Sequence, residues 1–384
     1  MRATIMVLDS FGVGAMPDAA EWGDAGADTL GHIAERVGGL HLPNLERLGL
    51  GNIHPAPGLS PETRPLASWG RMAIASDGKD TIAGHWEMAG FPVAHRFGVY
   101  PEGFPDDVIR ELAAFAGAPV LGNKAASGTA ILDEFGLEHQ RTGGPIVYTS
   151  ADSVLQIAAH EQVMPLERLY ALCERAFDLV QPLNVVRVIA RPFVGEPGAY
   201  VRTGNRKDFA QEPGGPTLMD RLQAAGFRCV GVGKIPSIYG HRGFDRELHA
   251  GHNPEILDET LRALDEEPEG LVFANLVDLD AMYGHRRDPQ GYAAALRAID
   301  ARIPELLERM RDDDLLCFIA DHGCDPTHPG SDHTREYVPM LAYRRGGRGE
   351  GIGTRASLAD LGQTLCDWFR VPWLPHGTSF AEAL

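Results

Sequence analysis

Cysteine is scarce in this 384-residue chain and never closely paired. Cys173, Cys229, Cys317, Cys324 and Cys366 form no CxxC and no zinc-knuckle spacing, which argues against a structural cysteine–zinc site or a dithiol redox motif. Their odd number, with no secretory-type leader in "MRATIMVLDSFGVGAMPD", is expected of a cytoplasmic protein in a reducing compartment. Long hydrophobic runs are also missing. No stretch reaches the roughly 20 apolar residues of a membrane-spanning helix, so no membrane association is expected. Positive charge is in deficit: 35 Lys and Arg against 53 Asp and Glu leave a net charge of −18, the opposite of a general nucleic-acid binder's basic footprint. That balance leaves a phosphorylated small substrate open, because a local pocket can be positive, or hold metal, inside an acidic protein. Internal repeats and low-complexity tracts are absent as well.

What is present is an ordinary globular composition, long enough for two domains, with one large α/β domain as the alternative. "TIMVL" at 4–8 reads as a buried strand, and helical patterns follow at 29–38 and 42–50. Residues 51–80 read as long loops broken by a short helix, and a helix start falls near Thr81. Between about 96 and 211 the texture changes to a self-contained α+β set, with helices in "PDDVIRELAAFAG", "SGTAILDEFGLEH" and "PLERLYALCERAFDLV" and strands in "PVLGN", "PIVYTSAD" and "NVVRVIARPFVG". From 212 strands again alternate with helices: "RCVGVG", "GLVFANLVDLD" and "DLLCFIAD" are the apolar runs. That rhythm predicts a mostly parallel central sheet flanked by helices, formed by residues 1–95 and 212–384 and interrupted by an inserted domain at 96–211.

Three of the apolar runs end in acids. Asp9 follows "TIMVL", Asp278 and Asp280 end "LVFANLVDLD", and Asp321 ends "DLLCFIAD". In a parallel sheet such ends converge on one edge, where open α/β folds place their sites. His285 follows Asp280 in "DLDAMYGHRRD", and His322 and His333 lie in "ADHGCDPTHPGSDHTREYVP". Together these side chains offer the oxygen and nitrogen donors of two coordination shells. Carboxylate mixed with imidazole suits Mn²⁺, Zn²⁺ or Fe²⁺ better than Mg²⁺ alone. Two such ions can clamp the oxygens of an in-line phosphoryl displacement, which leaves a nucleophile to be found. Thr81, in "GKDTIAGHWE", reads either as that nucleophile at a helix start or as a plain N-cap. Asp325, His328 and Asp332 read as support for the ligands or as structure. His85 reads either way, and His32 as structure.

The segments "LDSFGVGAMPDA", "GKDTIAGHWEMAG", "NLVDLDAMYGHRRD", "ADHGCDPTHPGSDHTREYVP" and "GTSF" together resemble the phosphopentomutase family of the alkaline phosphatase superfamily. The resemblance implies a metal core interrupted by a small α+β cap. It implies one ion held by Asp9, Thr81, Asp321 and His322 and another by Asp280, His285 and His333, two Mn²⁺ in all. It implies that Thr81 carries a phosphoryl group between positions 1 and 5 of ribose, or of 2-deoxyribose. A sugar bisphosphate, glucose 1,6-bisphosphate or ribose 1,5-bisphosphate, would act as activator. Substrate contacts are implied for Ser150, Asp152, Val154, Arg187, Ile189 and Arg202 in the cap and for Lys234 in the core. Arg187 and Arg202 also suit the forked grip of guanidinium on phosphate. Cap closure, on this reading, keeps water from the phosphoenzyme. A monomer is expected. The chain departs from the family at Ile82 and Ala83, where further hydroxyl residues are usual. Competing readings are a cofactor-independent phosphoglycerate mutase or a phosphatase built on the same metal logic, and a binding module that has kept the fold without the chemistry.

Overall fold

The computed structural model describes residues 1–150, 153–347 and 349–384. The chain divides into two compact units, Met1–His95 with Glu212–Leu384, and Arg96–Gln211. In chain order the strands are β1 (Arg2–Leu8), β2 (Ala67–Met72), β3 (Leu121–Ala125), β4 (Ile146–Thr149), β5 (Val154–His160), β6 (Arg187–Val194) and β7 (Val201–Arg202). They continue with β8 (Lys207–Ala210), β9 (Cys229–Val232), β10 (Arg246–Leu248), β11 (Gly270–Leu276), β12 (Asp314–Ile319), β13 (Val338–Arg344) and β14 (Gly351–Arg355).

The first unit holds an eight-stranded sheet in the order β10-β9-β11-β1-β12-β13-β2-β14. The pairings from β10 across to β12 are parallel, β13 runs antiparallel to both β12 and β2, and β14 is parallel to β2. The central strands are buried along their whole length, because helices cover both faces of a parallel sheet and leave no strand position facing water. This explains their continuous apolar runs. The one charge in β1, Arg2, is buried at the edge of the sheet opposite the acids. There it pairs with Asp314 and donates to the carbonyls of Leu264, Glu267 and Arg309. A buried guanidinium is tolerated only with such partners.

In register, Leu8 of β1 lies beside Leu276 of β11, and Val7 lies beside Ile319 of β12. All three strands therefore stop at one level, and Asp9, Asp280 and Asp321 emerge together at the C-terminal edge. The chain leaves β11 through a π-helical turn, Leu279–Gly284, which turns Asp280 inward. Asp278, at the head of that turn, faces away and accepts from the backbone N–H of Asn253 and the His252 ring.

The second unit is a separate six-stranded sheet, ordered β3-β4-β5-β6-β7 with β8 paired to β6. Its alternate positions Val147, Leu155, Ile157, Val188 and Ala190 pack with the helices Asp106–Ala116 and Leu166–Val180 in one core. The opposite face carries Val154, Gln156, Arg187, Ile189 and Arg191, with Val154 directly beside Arg187 in the parallel ladder.

Candidate functional site

Thr81 opens the helix Thr81–Met88, and Asp80 is its N-cap. Asp80 Oδ1 accepts from the backbone N–H groups of Ile82 and Ala83 at 3.0 Å each. The cap role thus belongs to Asp80, and the Thr81 hydroxyl is left to face the acids. Thr81 Oγ1 lies 3.2 Å from His322 Nε2. The helix can come this close because of Gly84: a Cβ there would stand 2.3 Å from the Asp321 carbonyl oxygen.

The donors fall into groups. Asp9, Asp321 and His322 present ligand atoms within 4.8 Å of one another, as do Asp280, His322 and His333, and Asp280, His285 and Cys324. His322 Nε2 is 3.2 Å from Asp321 Oδ2 and 3.7 Å from Asp9 Oδ1. His333 Nε2 is 3.4 Å from Asp280 Oδ1 and 3.1 Å from His285 Nε2, which is itself 3.4 Å from Asp280 Oδ2. The rings of His322 and His333 stack with centroids 3.8 Å apart.

Hydrogen bonds fix which nitrogens point inward. His285 Nδ1 meets the Ser331 carbonyl at 2.6 Å, and His322 Nδ1 meets the Gly323 carbonyl at 3.1 Å. A carbonyl can only accept, so each Nδ1 carries a hydrogen and each Nε2 aims its lone pair at the carboxylates when the ring is neutral. Asp9 Oδ1, Asp280 Oδ1 and Asp321 Oδ2 are buried with no hydrogen-bond partner among the described residues. Lone pairs facing unpartnered carboxylates call for positive charge among them, either protons or metal cations. The titration directions agree. Burial, then Asp321 and Asp280, hold the Asp9 carboxyl well above the usual range. Burial is the largest influence on the His322 imidazole and lowers it, but Asp321 and Asp280 together outweigh it and the net shift is upward. Carboxylate and imidazole donors at this density, with one thiol at the margin, fit divalent metal ions, and the His–carbonyl contacts are the usual support.

Some neighbours fall outside these groups. Asp325 accepts from Asp28, Thr327 and His328 backbone N–H groups and pairs with His32 Nδ1 at 2.5 Å, so Asp325, His32 and His328 tie the loop to residues 23–32. Asp332 accepts from the His333 N–H. Cys324, by contrast, belongs to the third group, and its thiol is pushed up by burial and, less, by Asp280 and Asp332.

Several residues that build the site carry no motif signal. Asn275 Nδ2 donates to Asp9 Oδ2 at 2.8 Å; its signal is a lone amide in an otherwise apolar strand. Buried Arg335 donates to the carbonyls of Ile74, Ser76 and Gly78 and pairs with Asp18 at 3.0 Å, fixing the approach to Thr81. Glu87 holds the same approach through the N–H groups of Ala75 and Ser76. Glu336 accepts from Thr29, Thr334 and the Gly14 N–H, joining the turn after Asp9 to the loop carrying His333.

Lys234 lies between β9 and the short helix Ile235–Ile238, half-buried, with its charge acting on Asp9. In the second unit Val154 and Ile189 are buried, and Arg187 Nη1 stands 3.7 Å from Asp208 Oδ2. Arg202 donates to the Tyr148 hydroxyl at 2.9 Å, and Ser150 follows β4. Asp152 lies outside the described residues. Arg191 is an additional cation on this face. Its Nε donates to Gln156 at 2.9 Å, and burial, then the charges of Arg206 and Arg202, push it down to about 10.

Comparison with known proteins agrees with a metal-dependent enzyme. The Metalloenzyme superfamily model matches residues 1–372. A phosphopentomutase of Caldanaerobacter subterraneus subsp. tengcongensis is 50% identical over 385 residues, covering 100% of this chain and 98% of the relative. A phosphopentomutase of Anaeromyxobacter sp. (strain K) is 52% identical over 380 residues, covering 99% of this chain and 98% of the relative. Among solved structures, the PH0037 protein from Pyrococcus horikoshii covers 96% of each chain with a TM-score of 0.50 at 13% identity, a likeness of fold alone. Among the described residues no helix is long and apolar enough to cross a membrane.

Proposed function

The chain belongs to the phosphopentomutase family of the alkaline phosphatase superfamily, and from that premise we propose that it interconverts α-D-ribose 1-phosphate and D-ribose 5-phosphate, and the 2-deoxyribose equivalents. The observation that carries this reading is Thr81 Oγ1 at the first residue of its helix, beside His322 and within a buried cluster of acids and imidazoles. A phosphatase built on the same nucleophile would pass the phosphoryl group on to water. A mutase needs a side chain that can hold the phosphoryl group between two transfers.

Asp9, Thr81, Asp321 and His322 are assigned to one Mn²⁺, and Asp280, His285 and His333 to the other. Bound there, the ions would neutralise charge on the transferring phosphoryl group and favour the ionised oxygen that attacks it. The chain's own residues do the rest. Thr81 Oγ begins the cycle esterified. Its bond to phosphorus breaks as O5 of ribose 1-phosphate forms a bond to the same phosphorus, and the proton that O5 loses ends on the freed Thr81 Oγ. The product is a 1,5-bisphosphate. After the sugar turns, Thr81 Oγ attacks the phosphorus at position 1, the bond to O1 breaks, and O1 takes up the proton that Oγ gives up. Ribose 5-phosphate leaves and the phosphothreonine is restored, with no net gain or loss of phosphate. Asp80 holds the helix start, and Asn275 and the backbone N–H of Ser10 orient Asp9 and Asp321.

Residues 96–211 are assigned the role of the inserted cap, with Ser150, Asp152, Val154, Arg187, Ile189 and Arg202 in substrate recognition and Lys234 contributing from the core. A sugar bisphosphate, glucose 1,6-bisphosphate or ribose 1,5-bisphosphate, would restore the phosphothreonine when it is lost. The enzyme is proposed to act as a cytoplasmic monomer. The test is ³¹P NMR of ribose 1-phosphate with the Mn²⁺-loaded protein, with and without a trace of bisphosphate. Conversion to ribose 5-phosphate, accelerated by bisphosphate and without inorganic phosphate, is expected. Release of inorganic phosphate as the main product would replace the mutase by a phosphatase.

A further inference from the structure

We propose that His85 is a positioning residue for the transfer: one N–H of its ring ties the peptide group of Thr81 to the carboxylate of Asp321. The proposal rests on the roles given above to Thr81 and Asp321. His85 lies one helical turn beyond Thr81 and is fully buried. Its Nδ1 is 2.8 Å from the Thr81 carbonyl oxygen and 3.2 Å from Asp321 Oδ2. The carbonyl can only accept, so the hydrogen sits on Nδ1 and bonds the Thr81 carbonyl, while the same N–H dipole stands beside Asp321 Oδ2 as a close electrostatic contact, not an aligned hydrogen bond. The other nitrogen, Nε2, is buried with no hydrogen-bond partner among the described residues, and the ring stacks on Phe273 with centroids 6.0 Å apart.

That arrangement is a poor choice for packing alone. An unpartnered ring nitrogen against an aromatic wall carries a desolvation cost that a phenylalanine would avoid. What phenylalanine lacks is a donor at the Nδ1 position. Asp321 shows why a donor matters there. Its Oδ1 is held by the backbone N–H groups of Ser10 and His322, at 3.1 Å and 3.2 Å. Its Oδ2 has His322 Nε2 and His85 Nδ1 as its near neighbours, both at 3.2 Å. With the His322 hydrogen engaged at Gly323, the Nδ1–H of His85 is the positive dipole that faces Oδ2 while His322 is neutral.

The turn that carries the ring is itself held from behind. The Tyr239 hydroxyl donates to the His85 carbonyl, and Trp86 Nε1 donates to the Ile238 carbonyl at 2.9 Å. Gly84 rests directly on the Asp321 backbone. Three consecutive residues of one helix therefore lock the nucleophile's turn to the end of β12 and to the segment that follows Lys234. Partners of this kind, one step removed from a ligand, typically govern about 10- to 100-fold in metal affinity or activity.

The test compares His85→Phe with His85→Asn, whose side-chain amide places a donor near the Nδ1 position. Both are followed by circular dichroism, by calorimetric Mn²⁺ titration, and by kcat and KM for ribose 1-phosphate. His85→Phe should fold, bind Mn²⁺ about 10- to 100-fold more weakly, and lose kcat at saturating Mn²⁺ while KM stays within about twofold. His85→Asn should recover most of both losses. If His85→Phe does not fold, His85→Gln, with its donor near the Nε2 position, takes its place and should fall below His85→Asn. Wild-type Mn²⁺ affinity and kcat in His85→Phe, or equal losses in the Asn and the Phe or Gln variants, would overturn the proposal. If wild-type protein fails to interconvert the pentose phosphates, the functional reading falls. The Mn²⁺ titrations still decide the role of His85.

Discussion

Replacing Gly84 by alanine sets two effects of opposite sign against each other. Within a helix alanine is favoured over glycine by about 1 kcal/mol, so propensity alone predicts a more stable protein. The added Cβ, however, would stand 2.3 Å from the Asp321 carbonyl oxygen and 2.8 Å from the Asp321 carbonyl carbon and Cβ. Two of these atoms are backbone at the end of a buried central strand, so they cannot swing aside as a flexible side chain would. The helix must retreat by about 1 Å to restore ordinary contact, and overpacking of this kind costs about 1–3 kcal/mol. Overpacking should outweigh propensity and leave a modest net loss of stability. Activity should suffer far more. Thr81 begins this helix, and a misplacement of about 1 Å in a reacting group is enough to cost about 100-fold in rate. The assay is kcat for ribose 1-phosphate at saturating Mn²⁺, alongside urea unfolding. Turnover within about twofold of wild type, or a protein more stable by the full propensity gain, would refute the argument that Gly84 sets the position of Thr81.

Thr81→Val should keep the fold and most of the Mn²⁺ affinity yet take up no phosphoryl group from a sugar bisphosphate, as read by intact mass; near-normal mutase turnover would remove Thr81 as the carrier. Chelation should lower the melting temperature, because the acids and imidazoles then face each other without ions. Mn²⁺ at about 100 times its Kd should restore about 2.7 kcal/mol, and a melting curve indifferent to Mn²⁺ would count against the site. Glu336 supplies a pH test. Burial raises its carboxyl from 4.5 to about 7. Between those values the native state holds a proton that the unfolded chain releases, so its contribution to stability is full below about 4.5 and lost as pH rises through about 7. The stability of wild type relative to Glu336→Gln should fall by about 3 kcal/mol from pH 4.5 to 8, and a difference that stays flat across that range would be inconsistent with the buried carboxyl.

The parts legible in the sequence are those whose physics is local or repeats along the chain. A strand buried on both faces must be apolar throughout, so "TIMVL", "GLVFANL" and "DLLCFI" declare themselves, and the acid after each marks the edge where it leaves the sheet. Strands without that pattern do not declare themselves. β2, "ASWGRM", sits in a stretch of Gly, Pro and Ser that reads as loop, and its place is set by β13 and β14 on either side. β5, "VLQIAAH", is buried throughout, but Gln156 interrupts its apolar run and the two alanines favour a helix as readily as a strand, so nothing local separates it from the helix beyond. The antiparallel course of β13 also has no local cause; it follows from where the histidine-bearing loop returns the chain to the sheet.

The same division runs through the site. Ligand candidates stand at strand ends or beside them, and spacing brings them into view. The groups that aim them are hundreds of residues away in sequence: Asn275 reaches Asp9, and Arg335 reaches the carbonyls before Asp80. Asp80 shows how close the two kinds of information can lie. A threonine at a helix start ordinarily reads as its cap, and only the preceding aspartate, by satisfying the N–H groups of Ile82 and Ala83, leaves the Thr81 hydroxyl free to turn toward His322. The capping of the helix and the exposure of its nucleophile are thus one feature. An aspartate before the threonine gives the helix a start that does not consume the hydroxyl.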